Sequence, residues 1–543
     1  MEQGNKNGKL TCLIIAIVVI AVLVVIVGSA CTCLCSVSRC LSHMPVGIQD
    51  DLFTAEPTQV PVVQTPTQAP TAVPVTVAPT AATGSLSPLD QENLPAATPA
   101  PDPSGWVRPK KVQLRNDGTD TVTVLVLMNG SDLESEYGEA TADLSEMVRA
   151  QKSDRVNILV ETVGTKKWDK RFGISSRRSE RYRVTATGLE LVDGTLGQLD
   201  TTIPSTLSDF IRWGAQNYPA DRYILLLWDH GGGPVYGFGY DEYQPYTASL
   251  TIDEMQTALR DGGIYFDVIG MDCCLMSSLE VCFALYDYCD YTILSEDFEP
   301  GCGWSHTGWL SALAKNPAID TLSLAKTAID DSIRAAKSSS EDGMTLALID
   351  ESYIALLYPA WIEFAYENEA TLLSANYSQL RQSTGRAHPG FLQPFSDWDF
   401  SGNSSIEDYG ITDILSLAAN IRSDTSDALC AALDAAIAYF DATSGETTFS
   451  GLSVTLPYGD RTFYDELRRV FTNAGIDEAY ITWLGKFASV QTGTSYYDFG
   501  DWSGWNDYGG GYDFGDWFGT GDWDDWTDDG YDLGDLLGWL LGG

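Results

Sequence analysis

Two short apolar runs in this chain end in residues able to do chemistry. YILLLW (223–228) leads into Asp229-His230-Gly231-Gly232-Gly233, and FDVIGM (266–271) leads into Asp272-Cys273-Cys274. A thiol near an imidazole can form a thiolate–imidazolium pair, and a thiol at a helix N-terminus gains further stabilisation of its anion. The glycines after His230 let backbone approach a substrate closely and offer N–H groups that no side chain obstructs. Together these are the parts for acyl transfer through a cysteine nucleophile. Singly, each is ordinary: a strand-end histidine in a turn, and buried apolar thiols or a vicinal redox pair. The combination at two strand ends favours a nucleophile but does not choose between Cys273 and Cys274. The chain has four histidines, at 43, 230, 306 and 388, which leaves little room for a multi-histidine zinc cage.

The elements that must position these groups are legible as alternating patterns. Residues 122–128 (VTVLVLM), 156–160, 223–228, 266–271, 344–349 and 452–456 read as strands, the first four as short continuous apolar runs of the kind buried in parallel sheets. Ser131-Asp132-Leu133-Glu134 has the form of a capping box opening a helix, with Leu133, Tyr137, Leu144, Met147 and Val148 on one face. A second helix pattern, with Leu275, Leu279, Cys282 and Leu285 in register, follows the cysteine pair. Strand and helix in alternation predict an α/β fold, a mainly parallel sheet with helices on both faces. In such sheets reactive groups gather beyond the carboxyl ends of the strands. Neighbouring strands lie about 4.8 Å apart, so side chains leaving adjacent strand ends can meet.

The length of 543 residues allows several domains, and the formal net charge is −43. That charge excludes a phosphate-tracking, nucleic-acid-binding surface, which needs a basic face. Residues 1–9 are polar, and residues 10–30 hold a continuous apolar run of about 28 Å as a helix, enough to span a bilayer. Lys6 and Lys9 precede it, so it reads as a transmembrane signal anchor with a cytoplasmic N-terminus and the rest of the chain outside the cell. Residues 31–105 contain a cysteine cluster and a Pro/Thr-rich stalk, a composition that stays disordered and extended. Residues 106–490 form the globular part, and 491–543 are a Gly/Asp/aromatic low-complexity tail that reads as a wall-binding or self-association segment or as a solvated extension.

Five segments carry a likeness to a known family: VLVLMNGSDLESE…LSEM (124–147), ILLLWDHGGG (224–233), FDVIGMDCCLMSSLEV (266–281), LSEDFEPGCGW (294–304) and GLSVTLPYG (451–459). In these the sequence resembles the clostripain family of cysteine peptidases, related in fold to caspases, gingipains and legumains. The resemblance implies a caspase-like fold and cleavage after Arg or Lys through a Cys-His dyad, with no cofactor required. It makes Cys274 the nucleophile, in the place of the cysteine of the family's Asp-Ala-Cys-Leu-Met pattern, and His230 the catalytic histidine. Gly231 and Cys274 then supply the backbone N–H groups of the oxyanion hole, and Asp272 lines the pocket for a basic side chain. Cys273 departs from the pattern, standing where alanine is usual. His306, in GWSHTGW, is a rival histidine expected in a loop near the pocket rim.

Three further features frame the function. Residues 166–183 hold eight basic side chains in an otherwise acidic chain and read either as a solvated hairpin or connection, or as a self-cleavage or inhibitory segment. Asp397-Trp-Asp399-Phe-Ser401-Gly402 with Asp408 echoes a calcium loop and keeps calcium open as a ligand. The expectation from all of this is a membrane-anchored extracellular cysteine endopeptidase acting on proteins or peptides with Arg or Lys. The alternative is a catalytically inactive surface binding or adhesion protein on the same fold, suggested by the stalk and the tail.

Overall fold

A computed structural model describes residues 107–115, 117–244, 249–339, 344–374, 410–443, 449–458 and 461–492. The apolar run 10–30, the stalk, the candidate calcium loop at 397–408 and the tail all lie outside the described residues. Among the described residues no helix is long and apolar enough to cross a membrane.

Nine strands form the main sheet: β1 (Val122–Asn129), β2 (Val156–Val163), β3 (Glu180–Thr185), β4 (Gly188–Asp193), β5 (Arg222–Trp228), β6 (Phe266–Asp272), β7 (Cys289–Leu294), β8 (Thr345–Asp350) and β10 (Ile437–Ala442). Their order is β10-β8-β7-β6-β5-β1-β2-β3-β4. The five central strands from β7 to β2 are mutually parallel, as the apolar runs predict. Both flanks are antiparallel: β8 against β7, β10 against β8, β3 against β2 and β4 against β3. The expected strand at 452–456 is not in this sheet. It forms β11 (Ser453–Thr455), paired with β9 (Ile411–Asp413) in a separate two-stranded sheet.

Alternation along the central strands divides the core in two. Leu125, Leu127, Leu225, Leu227, Ile269 and Met271 enter one buried cluster, while Val124, Val126, Ile224, Leu226 and Val268 enter the other. This is the period-two consequence of the pleat. It explains why these strands are apolar along most of their length, since each face is covered by helices. Each such fully buried aliphatic side chain contributes about 1.5–3 kcal/mol relative to exposure. The helices α1 (Glu139–Arg149), α5 (His306–Lys315) and α6 (Thr321–Ser339) cover the second cluster, and α2 (Pro204–Asn217), α3 (Ile252–Gly262) and α4 (Leu279–Leu285) cover the first.

The chain runs from β1 outward to β2, β3 and β4, then returns to place β5 on the other side of β1. The order therefore reverses between β1 and β5. In open α/β sheets this reversal opens a crevice beyond the carboxyl edge, where ligands bind.

Two expected helix starts are displaced. Residues 133–137 form a single π-helical turn, not the first turn of a long helix; it ends at Gly138 with φ +78°, and α1 begins only at Glu139. Tyr137 accordingly lies two-thirds exposed, while Leu144 and Met147 are buried as the pattern requires. Glu134 does not cap the backbone of Ser131. Its carboxylate takes the N–H and hydroxyl of Thr141 and the N–H of Asp169, tying the turn to α1 and to the loop after β2. After the cysteine pair, helix α4 begins at Leu279, with the Ser278 side chain accepting from the N–H of Val281.

Candidate active site

Register brings the two motif ends together. Trp228 pairs with Asp272 in the parallel β5–β6 ladder, so His230 and Cys274 each lie two residues beyond the same rung. Beyond the ladder the backbones stay in contact. A Cβ added at Gly231 would fall 2.0 Å from the carbonyl oxygen of Cys274 and 3.0 Å from its nitrogen. Only glycine permits this approach. The loop after His230 folds back tightly, with Gly239 N–H bonded to His230 O at 2.9 Å and Gly232 N–H to Gly237 O at 2.8 Å.

The structure supplies a third member that the sequence patterns did not single out. Nε2 of His230 lies 2.8 Å from Oδ1 of Asp132. Asp132 follows β1, the other neighbour of β5, so Asp132, His230 and Cys274 leave three adjacent strand ends. The residue before it, Ser131, takes φ +44° and is held by Asp229. The Asp229 carboxylate accepts from Ser131 Oγ at 2.6 Å, Asn129 Nδ2 at 2.6 Å and Tyr240 N–H at 2.5 Å. Asp229 thus binds the β1 end to the β5 end and is an interior strut. Burial pushes its carboxyl up to about 7, against the opposing His230 charge. The signal for Asp132 was its place just past the neighbouring strand end; its membership of an apparent capping box concealed it.

Electrostatics differ between the two partners. Burial pulls the His230 imidazole toward neutrality, but the Asp132 hydrogen bond and the charges of Asp229 and Asp132 outweigh it and raise its pKa. Asp132 is lowered correspondingly: burial opposes its charge, and the His230 bond and charge prevail. Cys274 is pushed up to about 12, first by burial and then by the Glu299 charge. Its Sγ accepts the Glu299 backbone N–H at 3.2 Å. Because α4 starts five residues later, the expected helix-terminus stabilisation of this thiolate is not present; this corrects the sequence expectation. Cys273 points the opposite way into the core, is 2% exposed, and has a pKa raised well above the usual range by burial. Cys274 is only half-buried, and that difference in exposure separates the two thiols, which sequence chemistry alone could not.

Asp272 is also interior. Its carboxylate accepts the Trp304 N–H at 3.1 and 3.3 Å and stands 3.3 Å from Nε2 of His306. His306 is not in a rim loop: it is the first residue of α5, fully buried, and it also faces Asp143 at 3.6 Å. Glu299 lies beside Asp272, and burial together with the Asp272 charge raises its carboxyl well above its usual range. The ligand-type atoms of Asp143, Asp272 and His306 lie within 4.8 Å of one another. An imidazolium between two carboxylates accounts for that approach.

The basic stretch is a loop leading into β3. Trp168 and Ile174 are buried in the second core cluster. Lys167 Nζ bonds Ser135 O at 3.0 Å, Arg171 bonds Ser145 Oγ at 2.7 Å, and Arg178 pairs with Glu180 at 2.6 Å. These ties favour the connection over a segment presented for cleavage.

Comparison with known proteins gives a match to the model of the Clostripain family over residues 126–451. No curated protein matches the chain. Among solved structures, a secreted C11 cysteine protease from Bacteroides thetaiotaomicron, in complex with an irreversible peptide inhibitor, is 18% identical, with 65% of this chain and 99% of that chain covered and a TM-score of 0.48. An inactive zymogen C11 protease from Parabacteroides distasonis is 18% identical, with 66% and 99% covered and a TM-score of 0.49.

Proposed function

The chain belongs to the clostripain family and is a cysteine-type peptidase, and from that premise we propose that it cuts proteins or peptides after Arg or Lys through Cys274 and His230. The observation that carries this is the contact of the two strand ends, with Trp228 and Asp272 on one rung and Gly231 against the Cys274 backbone. Sγ of Cys274 attacks the carbonyl carbon after the basic residue, and its proton passes to His230. Nε2 is bonded to Asp132, so this transfer is assigned to Nδ1. The oxyanion is held by the N–H groups of Gly231 and Cys274. The C–N bond breaks as His230 gives the proton to the leaving amine. Water then attacks the thioester, His230 takes its proton, and the acid product leaves as the thiol is restored.

Asp272 is the proposed partner of the substrate's basic side chain. It stands two residues before the nucleophile on the same strand end, with Trp304 and Glu299 around it. Arg gains over Lys where a carboxylate can accept two parallel N–H bonds. Residues 10–30 are proposed to hold the enzyme in the cell membrane with its peptidase domain outside, which protease shaving of intact cells tests through loss of the domain from the cell surface. The stalk and tail that suggested a binding protein lie outside the described residues.

The test is turnover of reporter peptides with Arg, Lys, Gln or Leu before the cut bond, under reducing conditions. Cys274→Ala abolishes cleavage, and Cys273→Ala retains most of it. Cleavage that survives in Cys274→Ala and vanishes in Cys273→Ala overturns the assignment, as does an absence of preference for the basic peptides.

A further inference from the structure

We propose that His306 is a positioning residue that keeps the Asp272 carboxylate ionised for a basic substrate side chain, by standing as the cation between Asp272 and Asp143. The inference rests on the assignment of Asp272 to substrate selection.

The geometry begins with α5. Its first residue is His306, whose backbone N–H is held by Glu146 Oε2 of α1 at 2.7 Å. The ring packs edge-on to Trp309, with centroids 6.2 Å apart. Nε2 is 3.3 Å from Asp272 Oδ2 and 3.6 Å from Asp143 Oδ2. Asp143 is fixed from the other side by Trp228 Nε1 at 2.7 Å, and Asp272 by the Trp304 N–H. Each carboxylate therefore has a neutral donor of its own, and His306 is the cation they share. Glu299 lies next to Asp272, and Asp331 of α6 lies against Gly308, two residues along α5, where it pairs with Arg334.

Two buried carboxylates this close cannot both be charged without a cation between them; one proton is shared instead. With His306 present, that proton resides on the imidazole and favours both acids as anions, against burial, which raises both carboxyls. Burial opposes the imidazolium, but the nearby Asp143 and Asp272 carboxylates prevail and raise its pKa to about 10. Without His306, the proton moves to the carboxyl pair. A guanidinium or ammonium arriving at Asp272 must then expel it. Binding of a basic side chain becomes linked to proton release, and binding of an uncharged one does not.

The experiment compares wild type with His306→Gln on Arg and Leu reporter peptides from pH 6 to 8. In the wild type, KM for the Arg peptide changes little over this range through Asp272. In H306Q it is raised at pH 6 and falls as pH rises, by up to about tenfold per unit, with the change in KM and not in kcat. KM for the Leu peptide shows no such slope. Adding Asp143→Asn and Glu299→Gln removes the neighbouring carboxyls and abolishes the slope, a rescue that a merely structural role would not give. A flat Arg KM in folded H306Q overturns the proposal. Should H306Q fail to fold, NMR titration of the His306 ring in the full chain decides: protonation maintained from pH 6 to 9 supports the proposal, and titration near 6.5 overturns it. Asp272→Asn is the separate control. If it leaves Arg preference intact, the selection role of Asp272 fails; if it removes the preference while H306Q stays flat, only the role of His306 fails.

Discussion

Oδ1 of Asp132 and Nε2 of His230 are 2.8 Å apart, which joins the ends of β1 and β5 across the point where the strand order reverses. The bond orients the imidazole and stabilises its charged form. Asp132→Asn keeps the shape and removes the charge, so kcat/KM falls by about tenfold to a hundredfold. The His230 pKa also drops, because the contributions that raise it include the Asp132 bond and charge. His230 must be neutral to take the Cys274 proton, so the acidic limb of the pH–rate profile moves to lower pH. A profile unchanged in D132N contradicts the role.

Gly231→Ala tests the contact of strand ends. The added Cβ meets the Cys274 carbonyl at 2.0 Å, and one of the two backbones has to move. A shift of about 1 Å at the reacting groups costs roughly a hundredfold in rate. We expect at least that loss in kcat/KM, with thermal denaturation showing that the sheet still folds. An active G231A variant would remove the oxyanion-hole assignment.

Glu351 offers a pH test of stability away from the proposed site. It is wholly buried, accepts from Thr292 Oγ1 at 2.7 Å, and is pushed up to about 8 by burial, with that hydrogen bond and the Arg108 charge opposing. Its folded pKa exceeds the unfolded one. The stability it contributes is therefore full below about 4.5 and is lost as pH rises through about 8. Glu351→Gln has no such loss, so the difference in Tm between variant and wild type grows in the variant's favour from pH 5 to pH 9. The full effect is on the order of 5 kcal/mol. A difference in Tm that does not change with pH would be inconsistent with a buried, titrating Glu351.

The basic loop predicts where self-processing does not occur. A protease substrate must present an extended, accessible backbone, and residues 166–178 are pinned at Trp168, Arg171 and Ile174. Intact-mass analysis of wild type beside Cys274→Ala should show no cut between 166 and 178. A wild-type-specific cut there would mean that this loop opens.

The central fold was legible because burial on both faces leaves a simple trace. Strands such as VTVLVLM and YILLLW admit no polar face, and the parallel core follows from them. The antiparallel flanks were less legible, since β4 and β10 are half-exposed and β3, though mostly buried, mixes charged with apolar residues. His230 and Cys274 were legible as strand-end residues, and the structure places them beyond one rung.

The partners of those residues were decided only by the tertiary structure. Asp132 is 98 residues from His230, and Asp143 is 163 from His306; no local period links them. Sequence alone determined which side chains could react, because reactivity is a property of residue type and of the backbone that ends a strand. Which carboxylates carry charge beside them, and which of two adjacent thiols stays buried, depends on distance and desolvation. Those quantities exist only once the sheet has folded and its helices have closed over it.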